Sequence, residues 1–461
     1  MKKTNKVLAV LLVALMTFAL SGMTAFAGTI TVTDVVKGET YEAFKILEYK
    51  SNTDKTAYSY YLEESNAKTA ALKTLLEGAG FTFTESADKT QYFLNETTMT
   101  ASEIVAALKD AGLTESNALA YAKKTAGSNG EAVFSGLDAG YWFVTTTTGS
   151  LCTLATYDDE ELIVEKNTVP TMDKKQSATG TTYADDALDL AVGATVYYQI
   201  VVTDGTGTDK DIKLTDTMTD GITFNNNIVV ADTTKTLVKD TDYTVTVTDN
   251  DFVLTLLASY VKTVDNETIT VTYTGVVNEN AAMNSDTNTN TVELSYSKQT
   301  QTDTVKFSTY DMNLKKTDDG PVGSETTLSG AKFKVYTTAE GGTAMKFSKD
   351  DTGYYVDVNG SEEIDAADGT GVTIRGLAPA TYYLEETQAP QGYNKLAARQ
   401  DFTITSGATA TLQVTVKNSA NVVLPSTGGL GTTLFTTFGL FAILAAGVFL
   451  VTNKRIAKEE I

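Results

Sequence analysis

The stretch "TYYLEETQAPQGY" (residues 381–393) alternates as a strand does, with Tyr382, Leu384 and Glu386 on one face and Tyr383, Glu385 and Thr387 on the other. Two large apolar neighbours turn Glu386 inward, in a chain of 461 residues that has no histidine to partner it. A buried carboxyl becomes neutral or takes up a chemical task. Two more polar groups follow the same alternation. Tyr310, Met312, Leu314 and Lys316 share a face of "STYDMNLKKTDDG", and Leu412, Val414, Val416 and Asn418 share one of "TLQVTVKNSA". The middle of the chain repeats the pattern with an aspartate. Ile212, Leu214, Asp216 and Met218 share a face of "DIKLTDTMTDGITF", Asn290, Val292, Leu294 and Tyr296 one of "NTNTVELSYS", and Met172 pairs with Lys174 in "TMDKK". Asn288 has the parity of Asn290, and Lys175 adjoins Lys174, so alternation leaves the partners open. Parity says that each group points inward; it does not say that they meet. A buried ion pair, or a lysine snorkelling to solvent, would satisfy the same pattern.

Other chemistries are poorly served. Without histidine there is no Ser–His–Asp or Cys–His catalysis, and with Cys152 alone there is neither a cysteine cluster for zinc nor an intrachain disulfide. "DVNGSEEID" (357–365) fails the EF-hand spacing and is expected to be a solvated loop. The expectation is no cofactor, no metal and no turnover enzyme. A formal net charge of −22 argues against nucleic-acid binding and for a soluble surface protein.

The elements that must position these groups are mostly strands. Residues 29–165 mix strands ("ITVTDV", "YEAFKILEY", "EAVFSGL", "GYWFVTTTT") with two helical stretches, "SNAKTAALKTLLEGAG" and "TASEIVAALKDAG", each opening on a capping-type residue and closing at glycine. "NTVPT" (167–171) marks a boundary. Residues 172–300 are almost pure strand and turn at sandwich-like spacing, and a third unit of the same texture follows. The first and third units echo each other: "FKIL" (44–47) against "FKVY" (333–336), and "GLDAGYWFV" (136–144) against "GLAPATYYL" (376–384). This predicts an internal structural repeat. It sets Val32 where Lys316 stands and Thr146 where Glu386 stands.

The ends carry addresses. Residues 1–27 have a basic start, an apolar run and "AFA", a secretory signal peptide. Near the other end, "LPSTG" (Leu424, Pro425, Ser426, Thr427, Gly428) precedes an apolar run from Leu430 to Val451 and a tail with Lys454, Arg455 and Lys458. This resembles the LPxTG cell-wall sorting signal of Gram-positive bacteria. The resemblance implies that a sortase cysteine attacks the Thr427 carbonyl and passes the chain to an amine.

The interior resembles sortase-assembled pilins. Residues 382–387 fit YxLxET, the E-box of Cna B-type domains, and the middle unit is similar to the D2 isopeptide-forming domain of fimbrial proteins. The resemblance implies a mainly β protein of tandem immunoglobulin-like, Cna B-type sandwiches, with short helices added to the N-terminal domain. The expected division is signal peptide 1–27, N-terminal domain 28–168, D2 sandwich 169–303, Cna B-type sandwich 304–420 and sorting signal 421–461. It further implies autocatalytic isopeptide bonds Lys174–Asn290, promoted by Asp216, and Lys316–Asn418, promoted by Glu386. With Val32 and Thr146 in place of the nucleophile and the acid, the N-terminal domain is expected to lack the equivalent bond and to be the least stable. "LIVEKNTVP" (162–170) matches only the Lys-Asn of the pilin motif YPKN, which implies Lys166 as the amine that joins subunits; Lys174 and Lys175 lie nearby. The family's partners are a pilin-class sortase, a housekeeping sortase, further copies of the chain, peptidoglycan, accessory pilins and host surface ligands. A monomeric wall-anchored adhesin, or a minor pilin at tip or base, would use the same modules without a linking lysine.

Overall fold

The computed structural model describes residues 28–420 and 430–456, apart from 55, 129, 150–151, 158–159, 284–285 and 367–370. The expected signal peptide and the motif Leu424–Gly428 lie outside the described residues. Among the described residues the strands form six sheets, two in each of three successive units.

In the N-terminal unit, β1 (Gly28–Thr33) buries Ile30 and Val32 and turns its threonines outward. β2 (Thr40–Ser51) follows, then α1 (Thr69–Gly78) and α2 (Ala101–Asp110). Thr100 caps α2 in a full capping box with Glu103, and Gly112 lies beyond its end at φ +76°. α1 starts later than its sequence suggests. It begins without a side-chain cap, and the Thr69 hydroxyl donates to the Glu63 carbonyl at 2.5 Å. β3 (Glu131–Leu137), β4 (Gly140–Thr146), β5 (Thr153–Tyr157) and β6 (Glu160–Val164) follow. One core (Ile30, Val32, Phe134, Trp142, Ile163) lies between the two sheets, and a second (Phe44, Leu62, Leu72, Leu76, Leu108, Phe143) lies under the helices.

The middle unit is a sandwich. One sheet holds β7 (Thr171–Ser177), β8 (Thr195–Thr203) and, across β8, β10 (Thr268–Val277); the other holds β9 (Ile212–Met218) paired to β11 (Thr289–Tyr296), which pairs to β12 (Gln299–Ser308). Strict alternation on β8, β10 and β11 packs Tyr198, Ile200, Val271, Tyr273, Val292 and Leu294 between them. The division expected between residues 303 and 304 falls inside β12, whose pairing with β11 runs on to Lys306; the chain changes sheets at Thr309.

The C-terminal unit opens on β13 (Tyr310–Asp318), followed by β14 (Ala331–Tyr336), β15 (Val372–Leu377), β16 (Ala380–Gln388), β17 (Gln400–Ile404) and β18 (Leu412–Asn418). Its strand order repeats that of the first unit. β13 lies between β18, parallel, and β15, antiparallel, as β1 lies between β6, parallel, and β3, antiparallel. The series β14–β16–β17 in the facing sheet matches β2–β4–β5. The helix α3 (Leu430–Ile456) contains an 18-residue window, Phe435–Thr452, of mean hydropathy 2.1, long and apolar enough to cross a membrane.

Candidate functional sites in the two sandwiches

In the C-terminal unit two of the three inward groups touch, and the third is buried close enough to feel the acid's charge. Lys316 on β13, Glu386 on β16 and Asn418 on β18 are each at most 2% exposed. The register sets Lys316 beside Val416 and Asp318 beside Asn418, so lysine and asparagine come from neighbouring parallel strands two residues apart. Glu386 reaches them from the opposite sheet. Asn418 Nδ2 donates to both carboxylate oxygens, at 2.8 and 3.0 Å, and the Leu396 backbone N–H donates to Oε2 at 2.8 Å. Lys316 Nζ donates to the Thr317 and Val416 carbonyls at 2.9 and 3.2 Å. Burial pulls its pKa down to about 8, against the opposing pull of Glu386 and Asp318. Among the described residues Asn418 Oδ1 has no hydrogen-bond partner. A lysine that gives up its proton easily thus lies in one pocket with an amide whose nitrogen is held by an acid.

The middle unit gathers its groups from both sheets. Lys174 on β7 and Asp216 on β9 form an ion pair with both side chains fully buried, and Asn290 on β11 is 1% exposed. Desolvation pushes the Lys174 ammonium down and the Asp216 carboxyl up, so both move toward the neutral pair. The hydroxyl of Tyr273, on β10, accepts from Lys174 Nζ at 2.6 Å and from Asn290 Nδ2 at 3.1 Å, and donates to Asp216 Oδ2 at 2.6 Å. Among the described residues Asp216 Oδ1 and Asn290 Oδ1 are without partners. The other asparagine of the same parity is engaged elsewhere. Asn288 Oδ1 accepts from the Ala282 N–H at 2.8 Å while its Nδ2 donates to the Ala282 and Phe307 carbonyls, so it staples a loop. Lys175 faces out and pairs with Asp173 at 2.8 Å. Tyr273 escaped the sequence reading, although "TITVTYTGVV" gives it the inward parity of Ile269 and Val271.

Three family descriptions match along the chain: the Gram-positive pilin backbone subunit 2, Cna-B-like domain at residues 188–300, the SpaA prealbumin-like fold domain at 310–419, and the LPXTG cell wall anchor motif at 416–458. The chain is built of Gram-positive backbone-pilin modules. The pilin is therefore a secreted, cell wall-anchored surface protein of the pilus backbone, and α3 is the membrane-spanning part of its anchor. Among solved structures, a backbone pilin of Streptococcus pyogenes superimposes with TM-score 0.55 at 18% identity, covering 84% of this chain and 81% of that one. SpaD of Corynebacterium diphtheriae gives 0.48 at 17% (86% and 98%), and full-length RrgB of Streptococcus pneumoniae 0.49 at 14% (88% and 100%). No curated protein matches the sequence.

In the pilin's N-terminal unit the strand register corrects the sequence match by two residues: Val32 pairs with Ala132 as Leu314 pairs with Val372, so Asp34 stands where Lys316 does and Asn167 where Asn418 does. Asn167 Nδ2 donates to Glu165 Oε1, which also accepts from the backbone N–H groups of Lys166 and Asn167, at 2.7 to 2.9 Å. Lys166 is exposed just past the end of β6, whereas Lys174 is inside the middle core.

Proposed function

We propose that this pilin is polymerised covalently into the pilus shaft, and that the domains 169–308 and 309–420 each cross-link themselves. The observation that carries this reading is the pair of buried lysine–acid–asparagine sites. A core gains little from a buried lysine and acid as such, whereas an amide between lysine and asparagine leaves no lysine charge to bury. In each site the neutral amine attacks the asparagine Cγ, ammonia leaves, and the acid moves the protons; the fold supplies the contact a free enzyme would otherwise provide. The reaction runs once per site and turns over no substrate.

Between subunits, a pilin-class sortase cysteine attacks the Thr427 carbonyl and the Thr427–Gly428 bond breaks. The amine of Lys166 on the next subunit then resolves the acyl-enzyme. Head-to-tail repetition does not close, so it gives a filament, whose last subunit a housekeeping sortase joins to peptidoglycan. The exposure of Lys166, the burial of Lys174 and the pairing of Lys175 with Asp173 favour Lys166.

Boiled, detergent-denatured wall extracts blotted for the protein test this. Wild-type cells are expected to show a high-mass ladder that Lys166→Ala abolishes. A surviving ladder moves the junction to another lysine. A single monomer band from cells expressing their pilin sortase refutes the shaft.

A further inference from the structure

The middle site contains a group that the C-terminal site lacks. Among the described residues no hydroxyl hydrogen-bonds to Lys316, Glu386 or Asn418, and the acid there touches the amide nitrogen directly. Asp216 is one methylene shorter than Glu386, and Asn290 Nδ2 donates to the Tyr273 hydroxyl instead. That hydroxyl has three partners: the nucleophile, the acid and the leaving amide. A buried tyrosine that only needed its polar end satisfied could have used a backbone carbonyl. Its ring is held independently, stacked on Tyr198 at 5.2 Å and edge-on to Phe252 at 5.0 Å and Phe224 at 5.8 Å.

We propose that Tyr273 is a catalytic residue of cross-link formation in the middle unit, its hydroxyl carrying a proton from Asp216 to the departing amide nitrogen of Asn290. The proposal rests on reading Lys174, Asp216 and Asn290 as a cross-linking triad. Lys174 first passes one proton to Asp216, leaving a neutral amine and a carboxylic acid. The amine attacks Asn290 Cγ; the new C–N bond forms and the carbonyl electron pair moves to Oδ1. The acid then gives its proton to the Tyr273 oxygen as Tyr273 gives its own to Nδ2. The Cγ–Nδ2 bond breaks, its electron pair leaving with ammonia, and the carbonyl re-forms. Asp216, again a carboxylate, takes the surplus proton from the new amide nitrogen. Of the three ammonium protons of Lys174, one stays on the amide, one completes the ammonia and one ends on Asp216. Burial in the aromatic cluster keeps Tyr273 protonated until the relay acts.

Tyr273→Phe keeps the ring and removes the hydroxyl. Intact-mass and peptide analysis after a pulse of expression follows each bond as the loss of one ammonia. Wild type is expected to close both bonds. Tyr273→Phe is expected to close the Lys174–Asn290 bond about a hundredfold more slowly, the low end of acid–base contributions. The Lys316–Asn418 bond of the same molecule should keep its rate and report that the chain has folded. Closure of the middle bond at the wild-type rate would overturn the relay. Asp216→Glu in the Tyr273→Phe background is the second variant: its added methylene enters the space the hydroxyl vacates and brings the acid to the amide, as in the C-terminal unit. Rescue is expected, which a merely structural tyrosine would not give; a folded double variant without the bond counts against the bridging role. If wild type fails to lose ammonia at Lys174–Asn290, or Asp216→Ala closes the bond, the triad reading itself falls, whatever Tyr273→Phe does.

Discussion

Lys316 is 1% exposed and, among the described residues, has only backbone carbonyls for its ammonium, so burial lowers its pKa to about 8. The same shift has a stability consequence wherever the cross-link cannot form. In Asn418→Ala the folded state releases the Lys316 proton near pH 8, while the unfolded chain holds it to about 10.5. Between those values the unfolded state binds more protons, so stability rises with pH. Denaturant melts of Asn418→Ala from pH 7 to 11 are expected to show the rise. Wild type should lack it, because an amide nitrogen does not titrate. A flat profile in the variant would mean that Lys316 is not held in an apolar site.

At the scale of elements, each proposed bond joins strands that are distant in sequence. β13 and β18, the first and last strands of the C-terminal unit, are parallel neighbours, and a bond between them lets tension bypass the other strands. In the middle unit Lys174 lies on β7 of one sheet and Asn290 on β11 of the other, so the bond would stitch the sandwich across its core. Each closes a loop of about a hundred residues, which by the closure entropy of a disulfide of that span contributes roughly 4–5 kcal/mol. Lys316→Ala is expected to lower the unfolding free energy of the C-terminal unit by about that amount. Guanidinium titration checks it, and a loss under about 1 kcal/mol would show that the strands are not cross-linked in the parent. The N-terminal unit, with Asp34 rather than a lysine at the position of Lys316, is expected to melt first.

The whole molecule is held at its joints by polar contacts. Glu39 of the N-terminal unit is fully buried against the middle unit, accepting from Thr147 Oγ1 at 2.6 Å, Ser297 Oγ at 3.0 Å, the Lys298 N–H at 3.2 Å and Gln299 Nε2 at 3.1 Å. Tyr296 donates to the Thr148 carbonyl at 3.0 Å across the same joint. At the second joint Tyr310 donates to Asp189 at 2.5 Å, and the Val192 N–H donates to the Gly376 carbonyl at 2.9 Å. A side chain at Gly376, which has φ +76°, would collide with Val192. Desolvation raises the pKa of Glu39, but the donors outweigh it and hold the carboxyl below its ordinary 4.5. A depressed carboxylate stabilises above its unfolded pKa and stops doing so as pH falls through the folded value, so this joint is expected to loosen on acidification below 4.5. Glu39→Ala should loosen it already at neutral pH, seen as a larger radius of gyration in solution scattering and faster proteolysis between the units. Unchanged scattering would show that the other contacts suffice.

Alternation by itself turned Lys174, Asp216, Asn290, Lys316, Glu386 and Asn418 inward, because the pleat is a local property with a period of two residues. Strand and helix existence was legible for the same reason, as was the repeat, whose matching segments fall in corresponding strands of the two outer units. What met what was not legible. Asn290 and Asn288 have one parity, and only the packing of β11 against β10 turned the first toward Tyr273 and left the second to clamp a loop. Tyr273 looked like any core aromatic until three polar groups converged on its hydroxyl, and Glu39 lies in a polar stretch, "KGETYE", that gives no sign of burial. Such meetings depend on how sheets stack and units abut, contacts between residues tens to hundreds of positions apart. Local periodicity carries no information about those contacts, so the tertiary structure decided them.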